Sequence, residues 1–173
     1  GDPIYYPRQT QDLHYEGELA VVIGRICRDV PPEQATDVIY GYTVANDVTA
    51  RDLQRSDGQW SRAKGFDSFC PLGPWIETDL DPQAFADGVT VQTHLNGDLK
   101  QDGSTADLIF DIPTLVAHIT SVMTLLPGDV ILTGTPAGAA VGGTKGLSEE
   151  LRAKLLAVQI GRASCRDRVS EAV

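Results

Sequence analysis

Cysteine, histidine and methionine are scarce in this 173-residue chain, which has three Cys, three His and one Met. Cys27, Cys70 and Cys165 lie far apart, with no CxxC and no Cys/His cluster. That excludes a disulfide scaffold and a structural zinc site and points to a reducing, cytoplasmic compartment. His14, His94 and His118 form no HxxxH-type ligand pair. No apolar run reaches the ~18 residues of a membrane span. No charged, then apolar leader is visible. The chain opens Gly-Asp-Pro without an initiator Met, so an N-terminus that has been cut away is the expectation. Positive charge is short too: 14 Lys/Arg against 24 Asp/Glu give a net charge of −10. Such a balance argues against nucleic acid and anionic membrane as partners. Neither GxGxxG nor GxxxxGK[ST] occurs.

What is present is an ordinary globular composition, 42% hydrophobic and 22% charged, at a one-domain length. The charge is uneven. Residues 1–140 hold 8 Lys/Arg and 20 Asp/Glu, and residues 141–173 hold 6 and 4. A small anion could enter so acidic a body only where a cation or local basic groups reverse the field.

Residues 13–24 alternate like a strand, with Glu16, Glu18, Ala20 and Val22 on one face. Pro31-Pro32 opens a short helical stretch, and residues 41–50 read as a second strand broken at Asn46-Asp47. Residues 51–69 are polar and loop-like. Residues 70–78 lead through Pro and Gly into a strand, and 89–101 alternate around Asn96-Gly97, a strong hairpin signal. Asp111 and Pro113 open a helix to about Met123, and residues 125–138 give a turn, a buried strand and a second turn. The class is mainly antiparallel β with few helices. The body ends near Gly138. LSEELRAKLLAV in the tail fits a short amphipathic helix.

Glu16 and Glu18, at i and i+2, point to one face of their strand. A bare E-x-E fits a solvated face as well as a binding site. Asp47 adds weight, because a carboxylate in an apolar strand is expensive unless paired or metal-bound. Three carboxylates without a soft ligand suit Mg²⁺ or Mn²⁺. Arg51, Gln54 and Lys64 follow in the polar stretch, either as surface groups or as partners for an anionic substrate. Thr133 and Thr135 flank Gly134 in a turn that is either structural or a donor set for an oxyanion. Asp52 is expected to anchor its loop, and Trp60 and Trp75 to pack inside.

Taken together, HYEGELAVVIG, GYTVANDVTARDLQ, QWSRAKGFDSFCPLGPWI, LNGDLKQDGSTADLIFDIP and LLPGDVILTGTPAG closely resemble the fumarylacetoacetate hydrolase family, in order, over about residues 1–138. The resemblance implies a mainly β (β-rich α+β) fold like the family's C-terminal domain, a mixed β-roll with few short helices, often dimeric. It implies one Mg²⁺ or Mn²⁺ held by Glu16, Glu18 and Asp47. Lys64 and Arg51 match catalytic positions, and Gln54, Ser68, Thr133 and Thr135 match substrate-binding ones. Ser68 stands where many members have Thr.

The implied partner is a small anionic 2-keto acid or its enol. The implied chemistry is C–C hydrolysis of acylpyruvates or isomerisation of 2-hydroxydienoates through a metal-stabilised enolate. The alternatives are an oxaloacetate-type decarboxylase or an inactive metal-binding fragment. Residues 36–75 read most like 2-hydroxyhepta-2,4-diene-1,7-dioate isomerases and related hydrolases. Hydrolytic members carry an upstream lid with a His/Glu pair, which would precede Gly1. Residues 139–173 fall outside the resemblance, and IGRASCRDRV looks like translated sequencing adapter. The expectation is a catalytic domain at 1–138 and a frame-shifted or artefactual tail.

Overall fold

The run Gly17–Ile23 is buried along its whole length and forms the central strand of the molecule. In the computed structural model, which describes residues 3–81, 83–139 and the backbone of Gln159–Ser164, this strand (β2) lies between β3 (Ile39–Asn46) and β7 (Val130–Leu132), all antiparallel. A strand paired on both edges and covered on both faces needs apolar residues at every position, which is why LAVVI shows no polar alternation. Leu19, Val21 and Ile23 face the main core with Tyr42, Phe85, Val91, Ile131 and the helix residues Ile112 and Val116.

The expected strand at 13–24 is two strands. β1 (Leu13–His14) pairs with β4 (Thr49–Ala50), while β2 pairs with β3. The interruptions fall at Tyr15-Glu16 and at Asp47-Val48, so both breaks sit at the carboxylates. The hairpin is as expected: β5 (Thr90–Leu95) and β6 (Asp98–Ser104) join through Asn96 and Gly97 with φ of 54° and 87°. Those values suit a two-residue turn that follows the strand twist. β8 (Gln159–Ser164) runs antiparallel on the other edge of β5. Apart from this strand, the reading of 139–173 as a foreign tail, its amphipathic helix included, lies outside the described residues beyond 139.

Helix and turn signals divide into met and missed. The PPEQATDV stretch is a 3₁₀ helix at Pro32–Val38. The long helix spans Ile112–Val122, with the Asp111 side chain accepting the Thr114 N–H as its N-cap. The polar stretch after residue 50 is not a loop. It holds α1 (Arg51–Asp57) and α2 (Ser61–Lys64), followed along the chain by α3 (Gln83–Asp87) and the Ile112–Val122 helix, α4. α1 has no buried residue, so it carries no apolar stripe for sequence periodicity to detect. Residues 70–78 give single bridges at Leu72 and Glu77 in place of a full strand. Among the described residues no helix is long and apolar enough to cross a membrane.

One contact between the sheets positions the rest. Gln101 on β6, 1% exposed, accepts the Gly17 N–H at its Oε1 (2.9 Å) and donates from Nε2 to Thr135 Oγ1 (2.7 Å). Thr135 in turn donates to the Gly17 carbonyl (3.0 Å). Both backbone groups of Gly17 are thus clamped, and a Cβ there would meet Thr93 Oγ1 at 2.1 Å. Gly17→Ala should therefore lower stability by about 1–3 kcal/mol through overpacking. Thr93→Ala in the same chain should recover part of that loss. Urea denaturation of the two single variants and the double variant measures both effects. Equal stability of Gly17→Ala and the wild type would show that the sheets are not in contact there.

Candidate metal centre

The antiparallel register of β2 and β3 brings the three carboxylates together. Gly17 lies opposite Asn46 and Glu18 opposite Ala45, so the pairing places Asp47 across from Glu16, and the Asp47 N–H donates to the Glu16 carbonyl (2.8 Å). Asn46 closes the same corner from its side chain, its Oδ1 accepting the Glu16 N–H (2.9 Å). Glu16, Glu18 and Asp47 each offer one carboxylate oxygen within 4.8 Å of the others, and both glutamates are buried.

Two cations meet this cluster, both from the short helices. Arg51, at the first position of α1, pairs with Glu16 and with Gln54 one turn on. Its own N–H donates to the Asp12 carbonyl (2.7 Å), which fixes the start of the helix. Lys64, at the end of α2, pairs with Asp47 and, at 3.1 Å, with Glu16. Glu18 receives instead the Gly134 N–H at 2.8 Å. Among the described residues no cationic side chain bonds Glu18.

The titration directions follow from this division. Burial, with the negative charges of Asp47 and Glu16, pushes the Glu18 carboxyl up to about 7, and the Gly134 N–H offsets only part of the rise. Burial acts to lower Lys64, but its bonds to Asp47 and Glu16 outweigh that and hold it above the usual lysine value. The Cys70 thiol is raised by burial and then by the charges of Asp47 and Glu18. Three hard oxygen donors, one of them without a cation of its own, form a set that fits a divalent ion such as Mg²⁺ or Mn²⁺.

Glu16, Glu18, Asp47, Arg51, Gln54 and Lys64 are thus gathered at one point, joined by the turn at 133–135. Thr133 and Thr135 direct their hydroxyls to the strand, to the carbonyls of Leu19 (3.0 Å) and Gly17 (3.0 Å). Between them only the Gly134 N–H reaches a cluster carboxylate. Ser68, in the left-handed region at φ 67°, accepts the Tyr5 N–H (2.7 Å) and so ties down the N-terminal segment. Asp52, expected to anchor its own loop, lies in α1 and anchors the N-terminal segment instead, taking the Thr10 hydroxyl and the Gln11 N–H, and these bonds hold its pKa down against burial. Trp60 and Trp75 are not packed inside; both are exposed.

Several positioning groups escaped sequence reasoning. Gln101 sits in a hairpin about 85 positions from the glutamates, within the LNGDLKQ block, but nothing local ties it to them. Asn46 is 1% exposed, and its Nδ2 is the one buried side-chain polar atom without a partner among the described residues. His14 is buried with Nε2 2.9 Å from Asp12 and Nδ1 3.5 Å from Arg51 Nε. These partners fit one neutral tautomer, with the proton on Nε2. Its place behind Arg51 depends on β1 pairing with β4, which no local signal announces.

The family described as Fumarylacetoacetate (FAA) hydrolase C-terminal matches residues 1–168, a span that takes in most of the segment set outside the family resemblance above. Protein Rv2993c of Mycobacterium tuberculosis is 60% identical over 136 residues, covering 79% of this chain and 51% of that protein. Oxaloacetate tautomerase YisK of Bacillus subtilis is 45% identical over 135 residues, 78% of this chain and 44% of that one. The crystal structure of 2-hydroxyhepta-2,4-diene-1,7-dioate isomerase from Mycobacterium marinum superposes with a TM-score of 0.76 at 56% identity, covering 80% of this chain and 53% of the other. The chain spans about half the length of the curated relatives it matches.

The Glu18 shift has a sign that can be measured. In the unfolded chain Glu18 loses its proton near 4.5, while the folded chain keeps it to about 7. Between those values the native state binds more protons, so metal-free stability should fall as pH rises from 4.5 to 7 and level off above. The Glu18 contribution is roughly 3 kcal/mol at 1.36 kcal/mol per unit. Thermal unfolding in EDTA across that window should show the slope in the wild type and its loss in Glu18→Gln. Parallel curves for the two proteins would refute it.

Proposed function

The chain belongs to the fumarylacetoacetate hydrolase family, and from that membership we propose that it carries the divalent-metal centre of an enzyme acting on small 2-keto acids or their enols. The observation that carries the reading is the meeting of three carboxylates within 4.8 Å with Lys64 and Arg51 on two of them. Glu16, Glu18 and Asp47 hold the ion, Mg²⁺ or Mn²⁺. When bound, it supplies Lewis acidity to the carboxylate and keto oxygens of the substrate.

The rest of the chemistry belongs to the chain's own side chains. With the carboxylates engaged by a dication, the charges of Lys64 and Arg51 are left to face an anion. Arg51, with Gln54 beside it, offers planar donors to the substrate carboxylate. The Lys64 ammonium stands against the negative charge that develops when a proton leaves carbon, and its raised pKa keeps it charged through neutral pH. Gly134 and the threonines beside it hold Glu18 and β2 still, so that the ligand oxygens need little reorganisation.

Proton relocation within a 2-keto acid or 2-hydroxydienoate needs a stabilised enol anion and a proton carrier. It is the reaction type named for both the tautomerase and the isomerase relatives. Acylpyruvate hydrolysis would need in addition a base for water. Isomerisation or tautomerisation is therefore the leading reading, with C–C cleavage and decarboxylation tested beside it.

The test is ultraviolet-monitored turnover of a 2-hydroxydienoate, oxaloacetate enol and an acylpyruvate, with EDTA and then with Mg²⁺. Turnover of at least one substrate should vanish in EDTA, return with Mg²⁺ and fall about a hundredfold or more in Asp47→Asn. Folding of that variant is checked by circular dichroism. Turnover indifferent to both EDTA and Asp47→Asn would overturn the assignment. Metal binding without turnover of any of the three would leave a binding role alone.

A further inference from the structure

Trp60 is 58% exposed, an unfavourable position for the largest apolar side chain unless something covers it in use. Its turn is not loose. Residues 58–61 are bracketed by a two-bond pair in which Arg62 Nε and Nη2 donate to the Asp57 carboxylate at 2.7 and 2.6 Å. The indole is held over the site's own lysine, with Lys64 Nζ 5.7 Å from the ring centroid. That ammonium is at the same time bonded to Asp47 and Glu16. A largely exposed indole therefore stands a single ammonium away from the carboxylate cluster. Trp75, the other tryptophan of this chain, lies in the strip that bridges β3, where its carbonyl accepts the Thr43 hydroxyl at 2.7 Å.

We propose that Trp60 is a specificity-determining wall of the centre, its indole face receiving the planar, conjugated tail of a substrate whose 2-keto-acid end is held at the carboxylates. The inference rests on the reading given under Proposed function and adds to it the residue that selects among those substrates by their tails. Flat π systems stack on an indole with offset geometry, and the nearby ammonium polarises the ring without filling its face. A substrate as short as oxaloacetate has no group to place there, whereas a dienoate or an aryl-substituted dioxo acid does. Trp60 thus discriminates by tail, while Arg51, Lys64 and the carboxylates treat the common end alike.

Two ligands separate these contributions, oxalate as the tail-less probe and 4-phenyl-2,4-dioxobutanoate as the tailed one. Both are titrated into the Mg²⁺-loaded chain by calorimetry and by tryptophan emission. In Trp75→Phe, where Trp60 is the sole reporter, the phenyl ligand should quench the emission. In Trp60→Ala its affinity should fall about tenfold while that of oxalate changes less than threefold, and Trp60→Phe should recover most of the loss. An equal loss for both ligands would reduce Trp60 to a prop for Lys64, and undiminished phenyl affinity would remove it from the site. Binding of oxalate but not of the phenyl ligand by the wild type also sinks this proposal alone. Failure to bind either ligand sinks the 2-keto-acid reading, and this proposal with it.

Discussion

Mutual repulsion of three carboxylates away from bulk water is the constraint on which the rest of this structure depends. At the separation seen here each charged pair costs roughly 3–4 kcal/mol for an effective dielectric near 20. No local feature of β2 offsets that, so the compensation comes from elsewhere in the chain. Lys64 and Arg51 take up Glu16 and Asp47, and Glu18 remains short of positive charge and holds its proton up to about 7. The shortage is confined to one carboxylate, and that imbalance distinguishes the cluster from a fully satisfied ion-pair network.

The scaffold around the cluster acts by removing freedom. Gly17 is clamped at its N–H by Gln101 and at its carbonyl by Thr135, the Leu19 carbonyl accepts from both the N–H and the hydroxyl of Thr133, and Asn46 with Asp47 holds the backbone of Glu16. Three backbone positions on either side of Glu18, those of Glu16, Gly17 and Leu19, are therefore fixed by groups from the end of β3, from β6 and from the turn after β7. Each bond is individually modest, about 1 kcal/mol net. Their joint effect is to keep like charges near one another on a backbone with little freedom to relax.

The legible parts of the molecule were those in which a local signal coincides with the tertiary outcome. Asn96-Gly97 makes its hairpin because only the left-handed backbone joins those strands without splaying them. Asp111 caps its helix because the side chain is the right length for the Thr114 N–H. The two short helices that deliver Arg51 and Lys64 were illegible for the opposite reason: each turns a single apolar residue inward, Leu53 and Ala63, beside the cation that meets the acidic cluster, so hydrophobic periodicity has nothing to report. The tryptophans misled for a related reason. Large aromatic residues usually sit inside, yet at Trp60 the polar surroundings leave the ring in water over Lys64.

By itself the sequence determined which groups were on offer: three carboxylates in or beside strands, a basic pair in the polar stretch that follows, and an acidic body that a bare anion could not enter unaided. It also determined which segments could become strands, since alternation and turn residues act over a few positions. Only the tertiary structure decided that Asp47 faces Glu16, because a strand register slipped by one residue would turn every side chain to the opposite face. Only the tertiary structure, too, brought Gln101 to Gly17 and left Glu18 without a cation. Those outcomes depend on long-range pairing of strands that are each half-specified on their own.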